Sequence, residues 1–249
     1  MKPERLNVLG APVDSVDMKT ALVFVADAVR TRTSAGAILA VNPEKVYVLR
    51  RDAFLKEFFE QAALLIPDGI GIVKALKILF GKKVSRCAGA DLMQNICRDA
   101  PRHGYKLFLY GSSEEVNRTA CDILRTRYPG IQIVGRSNGF VKPEEMDQLV
   151  SRINESKADI LFIAMGSPKQ EKWMFQYAPQ LTTVKLCQGI GGTLDTIVGT
   201  VKRAPKFWQS LGLEWFYRLL CQPWRFKRQL HCFKFAVEVY KLKFFGYNQ

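Results

Sequence analysis

The chain holds only two histidines, His103 and His231, and they lie far apart among 249 residues. A histidine-based triad or a histidine metal centre is therefore not expected. The six cysteines, Cys87, Cys97, Cys121, Cys187, Cys221 and Cys232, form no CxxC pair and no zinc spacing. Dispersed thiols of this kind fit a reducing cytoplasm. The sequence also lacks a DxD pair, which many nucleotide-sugar enzymes use to hold a cation, so chemistry without a metal or cofactor is expected. No apolar run reaches the length that spans a bilayer, about 18 residues. The start, Met1 to Asn7, has no basic region followed by an apolar core, so no signal peptide is read.

Acidic residues are scarce at one end. From Thr200 onward ten basic residues face only Glu214 and Glu238, which puts +8 of the net +14 in the last fifth of the chain. Such asymmetry points to a polyanionic partner: nucleic acid, acidic lipid head groups or diphosphates.

What is present is an alternation of short apolar runs with helical patterns. Strands are predicted at Ala37–Val41, Leu64–Ile66, Lys106–Tyr110, Gln132–Val134, Ile160–Met165 and Val184–Gln188. Helices are predicted at Asp17–Thr31, Pro43–Gln61 with a break near Asp52, Gly69–Phe80, Ala90–Ala100, Glu114–Tyr128, Pro143–Ser156 and Pro168–Tyr177. This order predicts an α/β fold with a mostly parallel sheet covered on both faces. The length allows one large domain with a small appendage. The boundary is placed so that 1–204 form the catalytic domain and 205–249 a basic amphipathic helical appendage.

Ligands of such sheets sit at the carboxyl ends of the strands. Three loops there offer backbone N–H groups beside a helix start, a natural anion site. They begin at Gly111-Ser112, at Gly166-Ser167-Pro168 with Gln170, and at Gly189-Ile190-Gly191. Ser112 with Glu115, and Ser167 with Gln170, have capping-box spacing. Any one loop is equally an ordinary connection; three in one sheet favour a nucleotide diphosphate. The turn Pro67-Asp68-Gly69 closes a further strand. Asp68 there is either the cap of the helix that follows or a general base for an acceptor hydroxyl. A dinucleotide-dependent oxidoreductase would need a glycine-rich first turn and an acidic residue about 20 positions on, and neither is clear.

After Pro205 two helical stretches follow. Phe226, Leu230, Phe233, Val237, Tyr240 and Phe244 form one stripe at helical spacing, flanked by Lys227, Lys234 and Lys241. The pattern suits a helix lying in a head-group layer, and equally one packed on its own core or on a second subunit. The lysine flank favours the membrane. Arg218, Arg225 and Arg228 can hold phosphate oxygens bidentately, or stand as solvated surface charges. A nucleic-acid-binding protein is the remaining rival, disfavoured because Phe and Leu crowd the basic tail.

Several runs in fixed order resemble the bacterial WecG/TagA/CpsF glycosyltransferases. They are Val41-Asn42-Pro43-Glu44, Pro67-Asp68-Gly69-Ile70-Gly71, Arg86 to Leu92, Gly166 to Glu171, Gly189 to Asp195, Val201 to Pro205, Gly212 to Arg218 and Gln222-Pro223. The resemblance implies a Rossmann-like fold without a required metal. It implies a UDP-sugar donor, inversion at the sugar, and a polyprenyl-diphosphate-linked GlcNAc acceptor at the inner face of the cell membrane, with no nucleic acid and with oligomers possible. By motif match Asp68 is the base, Asn42, Arg86 and Gln170 fall on substrate-pocket positions, and Arg218, Arg225 and Arg228 belong to an appendage that closes over the site; Asp195, which ends the run from Gly189, is taken as a further substrate-binding residue. Position 40 is alanine where many members carry threonine. The branch that resembles this chain most is the one adding N-acetylmannosaminuronic acid in enterobacterial common antigen; UDP-N-acetylmannosamine and UDP-glucose are alternative donors.

Overall fold

The computed structural model describes residues 3–201, 204, 205, 207, 208, 217 and 226–246, without the side chains of 226–230. Six strands, β3 (Gly36–Val41), β4 (Leu64–Pro67), β5 (Lys106–Gly111), β6 (Gln132–Ser137), β7 (Ile160–Ala164) and β8 (Leu186–Gly189), form one sheet in the order β4-β3-β8-β7-β5-β6. Every pairing in it is parallel. β7 is buried at all five positions, and this two-sided burial is why it reads as an unbroken apolar run.

Helices cover both faces. On one lie α1 (Met18–Thr31), α5 (Gly89–His103), α6 (Glu114–Arg127) and α9 (Thr193–Val198), packed on Ile38, Ile66, Leu109 and Phe162. The other carries α2 (Pro43–Leu49), α3 (Ala53–Gln61), α4 (Ile70–Phe80), α7 (Met146–Glu155) and α8 (Lys169–Tyr177), packed on Leu39, Leu65, Tyr110 and Ile163. The predicted break near Asp52 is real: Asp52 caps α3 by accepting from Leu55 N–H at 3.0 Å. α5 begins earlier and ends later than its pattern suggested, running through Pro101 to an αL glycine at Gly104.

A feature absent from the sequence reading precedes the sheet. β1 (Arg5–Val8) and β2 (Ala11–Asp14) pair as an antiparallel hairpin. Its anchor is Asp14, 1% exposed. Arg5 holds both carboxylate oxygens, at 2.8 and 2.9 Å, and Leu65 N–H donates to Oδ2 at 2.8 Å. One carboxylate thus ties the hairpin to β4.

The last helix, α10 (Phe226–Phe245), lies on α2 and α4. It does so through Phe235 and Val239, each 2% exposed, and not through the described members of the stripe singled out by periodicity. Phe233, Val237, Tyr240 and Phe244 are 71%, 52%, 52% and 73% exposed. The helix therefore has two apolar faces, one spent on the core and one facing outward. Phe235 approaches within 3.7 Å of where a side chain at Gly71 would begin, and Pro43 within 2.8 Å. No helix among the described residues is long and apolar enough to cross a membrane.

At the end of β5, Gly111 has φ 119°, and a Cβ there would stand 2.5 Å from the Ala164 backbone. Both the conformation and the clash forbid a side chain. Gly111→Ala is expected to cost roughly 3 kcal/mol, read as a shifted urea midpoint; an unchanged midpoint would contradict the packing described.

Candidate active site

The strand order sets where a ligand can enter. β8 leads to α9 on one face, while its neighbours β3 and β7 lead to α2 and α8 on the other. Chains that part in this way leave a crevice at the carboxyl ends. The candidate residues lie along its rim.

Asp68 follows β4, and its backbone N–H is fixed by Val41 O at 2.9 Å. It does not cap α4, whose N-cap is Gly69 with no side-chain bond. Its carboxylate instead turns to the opposite face of the sheet. Oδ1 takes Arg86 Nη2 at 3.1 Å, and Oδ2 takes Gly89 N–H, the first of α5, at 3.1 Å. The side chains of Asp68 and Arg86 are 24% and 26% exposed. A carboxylate oxygen has lone pairs to spare after one such bond, so Asp68 can still meet a substrate hydroxyl. Next to Arg86, burial pushes the Cys87 thiol up to about 12, and Asp68 adds to the shift. Cys87 is thus a neutral packing group, not a nucleophile.

Asn42 borders the same turn, since a Cβ at Gly69 would sit 3.6 Å from Asn42 Cβ. Its side chain caps α2 by accepting from Lys45 N–H at 2.8 Å. Lys45 then crosses to the loop after β7, where Nζ bonds Ser167 Oγ and, at 2.9 Å, Glu171 Oε1. The ion pair is almost closed to solvent, with Lys45 at 8% and Glu171 at 2%. Phe59 lies under the ammonium at 5.3 Å.

The loop after β7 differs from its predicted capping box. Gly166 adopts φ 72° and the Ser167–Pro168 bond is cis. Pro168 is the N-cap of α8 and offers no side-chain bond. Ser167 serves Lys45 instead. Gln170 reaches sideways, accepting from Gly191 N–H at 3.0 Å and filling the space a side chain at Gly189 would need. The box at Ser112 is displaced too. Ser112 has φ 59°, its N–H donates to Ala164 O at 2.9 Å, and Ser113 is the cap that accepts from Val116 N–H. The Gly111-Ser112 loop packs against Ala164 and Gly139. Asp195 lies in the first turn of α9, 3.8 Å from where a Cβ at Gly192 would be.

Asn42, Asp68, Arg86, Gln170, Gly189 and Gly191 thus lie along one rim, together with Lys45 and Glu171; beneath it Gln188 of β8, 1% exposed, donates to Gly89 O at 2.8 Å, and sequence reasoning missed all three of these last residues. The signal for Lys45 was its position three residues after a capping asparagine. Gln188 carried a weaker one, a polar residue inside an otherwise apolar strand. Arg218 and Arg225 lie outside the described residues, as does the side chain of Arg228. The family described as Glycosyl transferase WecG/TagA/CpsF matches residues 6–249. A match over nearly the whole chain shows that it belongs to the WecG/TagA/CpsF glycosyltransferases, a family serving cell-surface polysaccharide synthesis.

Proposed function

We propose that the protein moves a sugar from a UDP-sugar to the free hydroxyl of a GlcNAc–diphosphate–polyprenol, with inversion and without a metal. The observation that carries the reading is Asp68: a carboxylate about one quarter exposed at the carboxyl end of β4, gripped by Arg86 and by the first N–H of α5. The acceptor oxygen attacks the sugar C1 as the bond from C1 to the β-phosphate oxygen breaks. The proton passes to Asp68, and the bonding pair leaves with UDP. One base and an in-line displacement suffice for inversion. Fixed dipoles and basic side chains stabilise the departing diphosphate. The loops at Gly166 and Gly189, tied together by Gln170, support donor binding. N-acetylmannosaminuronic acid is the favoured sugar, resting on the resemblance of Ala164 to Glu171 and Val201 to Leu230. A panel of UDP-sugars offered with the lipid acceptor, read by product mass, tests this; a product from UDP-glucose alone would overturn the donor.

In this reading Arg218, Arg225 and Arg228 grip the diphosphate of the lipid acceptor, and α10 docks the enzyme on the inner face of the cell membrane. Its outward Phe233, Val237, Tyr240 and Phe244 lie beside exposed Lys234 and Lys241. Apolar residues flanked by lysine suit an anionic lipid surface. Phe233→Asp with Phe244→Asp is expected to weaken co-sedimentation with anionic vesicles by about tenfold or more, since each buried phenylalanine contributes about 1.5–3 kcal/mol. Both residues lie off the core, so the melting temperature should hold. Undiminished sedimentation would remove α10 from the anchoring role.

A further inference from the structure

β8 runs through the middle of the sheet, and Gln188 on it is in register with Ile38 of β3 and Phe162 of β7. It is 1% exposed. Strand positions buried on both faces ordinarily carry apolar residues, so a glutamine here costs stability unless both ends of its amide are satisfied. Only one end is. Nε2 donates to Gly89 O at 2.8 Å, while Oε1 meets no donor among the described residues. Asn117 shows what a purely structural amide looks like in this fold. It is equally buried, and its Nδ2 is shared by the carbonyls of Leu109, Gly111 and Ser137 while its Oδ1 faces the Cys121 thiol.

The single bond of Gln188 goes to a particular place. Gly89 opens α5, and its N–H is the one that holds Asp68 Oδ2. The N-cap of α5, Ala88, makes no side-chain bond, so nothing of the usual kind fixes this turn. Gln188 reaches across from the central strand and holds it by its carbonyl.

We propose that Gln188 is a positioning residue for Asp68: it fixes the first turn of α5 so that the Gly89 N–H meets the carboxylate and sets its aim. This rests on the reading of Asp68 as the base. A displacement of about 1 Å at a reacting group can cost on the order of 100-fold in rate.

The test is Gln188→Met, close in volume and without a donor, with Gln188→Leu as a second variant. Turnover is expected to fall about tenfold or more, with KM for the UDP-sugar unchanged. The melting temperature should stay level or rise, because an unpartnered buried oxygen is removed. Amide exchange over 86–92 should quicken in the same variants. A structural glutamine gives the reverse pattern, a lower melting temperature with full turnover per folded molecule, and that result overturns the proposal. So does failure of both variants to fold, or unchanged exchange. If the parent protein transfers no sugar, the reading of Asp68 falls first; if it does and the variants match it, the positioning role alone falls.

Discussion

Asp68→Asn is expected to remove about 10²–10⁴-fold of turnover, the range that a positioned general base supplies, while leaving the affinity for UDP unchanged. The amide has the shape of the carboxylate, so the Gly89 N–H keeps an acceptor and the turn after β4 keeps its bond to Val41 O. What is lost is the capacity to take a proton. The measurement is a pair: single-turnover rate with the lipid acceptor, and UDP binding by calorimetry. Loss of both together would mark Asp68 as a binding group, and full turnover would take the base role from it.

Lys45→Met carries the largest expected cost to stability. The ammonium bridges Ser167 and Glu171, and Glu171 is 2% exposed with its Oε2 already unpartnered. Removing the cation leaves a buried carboxylate uncompensated, which costs about 3–5 kcal/mol. For a chain of this size that lowers the melting temperature by on the order of 10 °C. Lys45→Met with Glu171→Leu should recover most of the loss, because an apolar pair of similar volume replaces a buried ion pair at little cost. A single variant that melts with the parent, or a double variant no better than the single, would show that the pair is not what joins these loops.

The parallel sheet was legible because strands buried on two faces must be apolar throughout, as Ile160–Ala164 is. The rim residues were legible as turns and motifs, although their partners were not. Ser112 has Glu115 three residues on, whereas Ser113 has Val116 there, so the box pattern favours the wrong serine. The choice between them falls to Gly111, whose close approach to Ala164 sets the direction of the chain. Asp68 had the position of a cap for α4, and only the placement of α5, brought in by the opposite face of the sheet, turns its carboxylate away from that helix. The hairpin was hidden for local reasons. Its strands are four residues each, Pro12 lies in one, and Leu9 takes φ 54° in a turn where asparagine or glycine is usual. Its anchor, Asp14, bonds across to Leu65, a partner no local pattern reveals. In α10 two sets of apolar residues recur at helical spacing. The sequence reading singled out the outward set, because periodicity does not tell which set meets the core; the fit of Phe235 beside Gly71 decides it.

That fit has a consequence for reach. α2 and α4 begin at the turns that carry Asn42 and Asp68, and α10 is seated on both. If its outward face rests on lipid, as proposed, the crevice stands at a fixed elevation above the head groups. The glycan length that comes level with Asp68 would then be set by that elevation. Chain length of the acceptor would be measured by the thickness of the protein itself, as by a ruler.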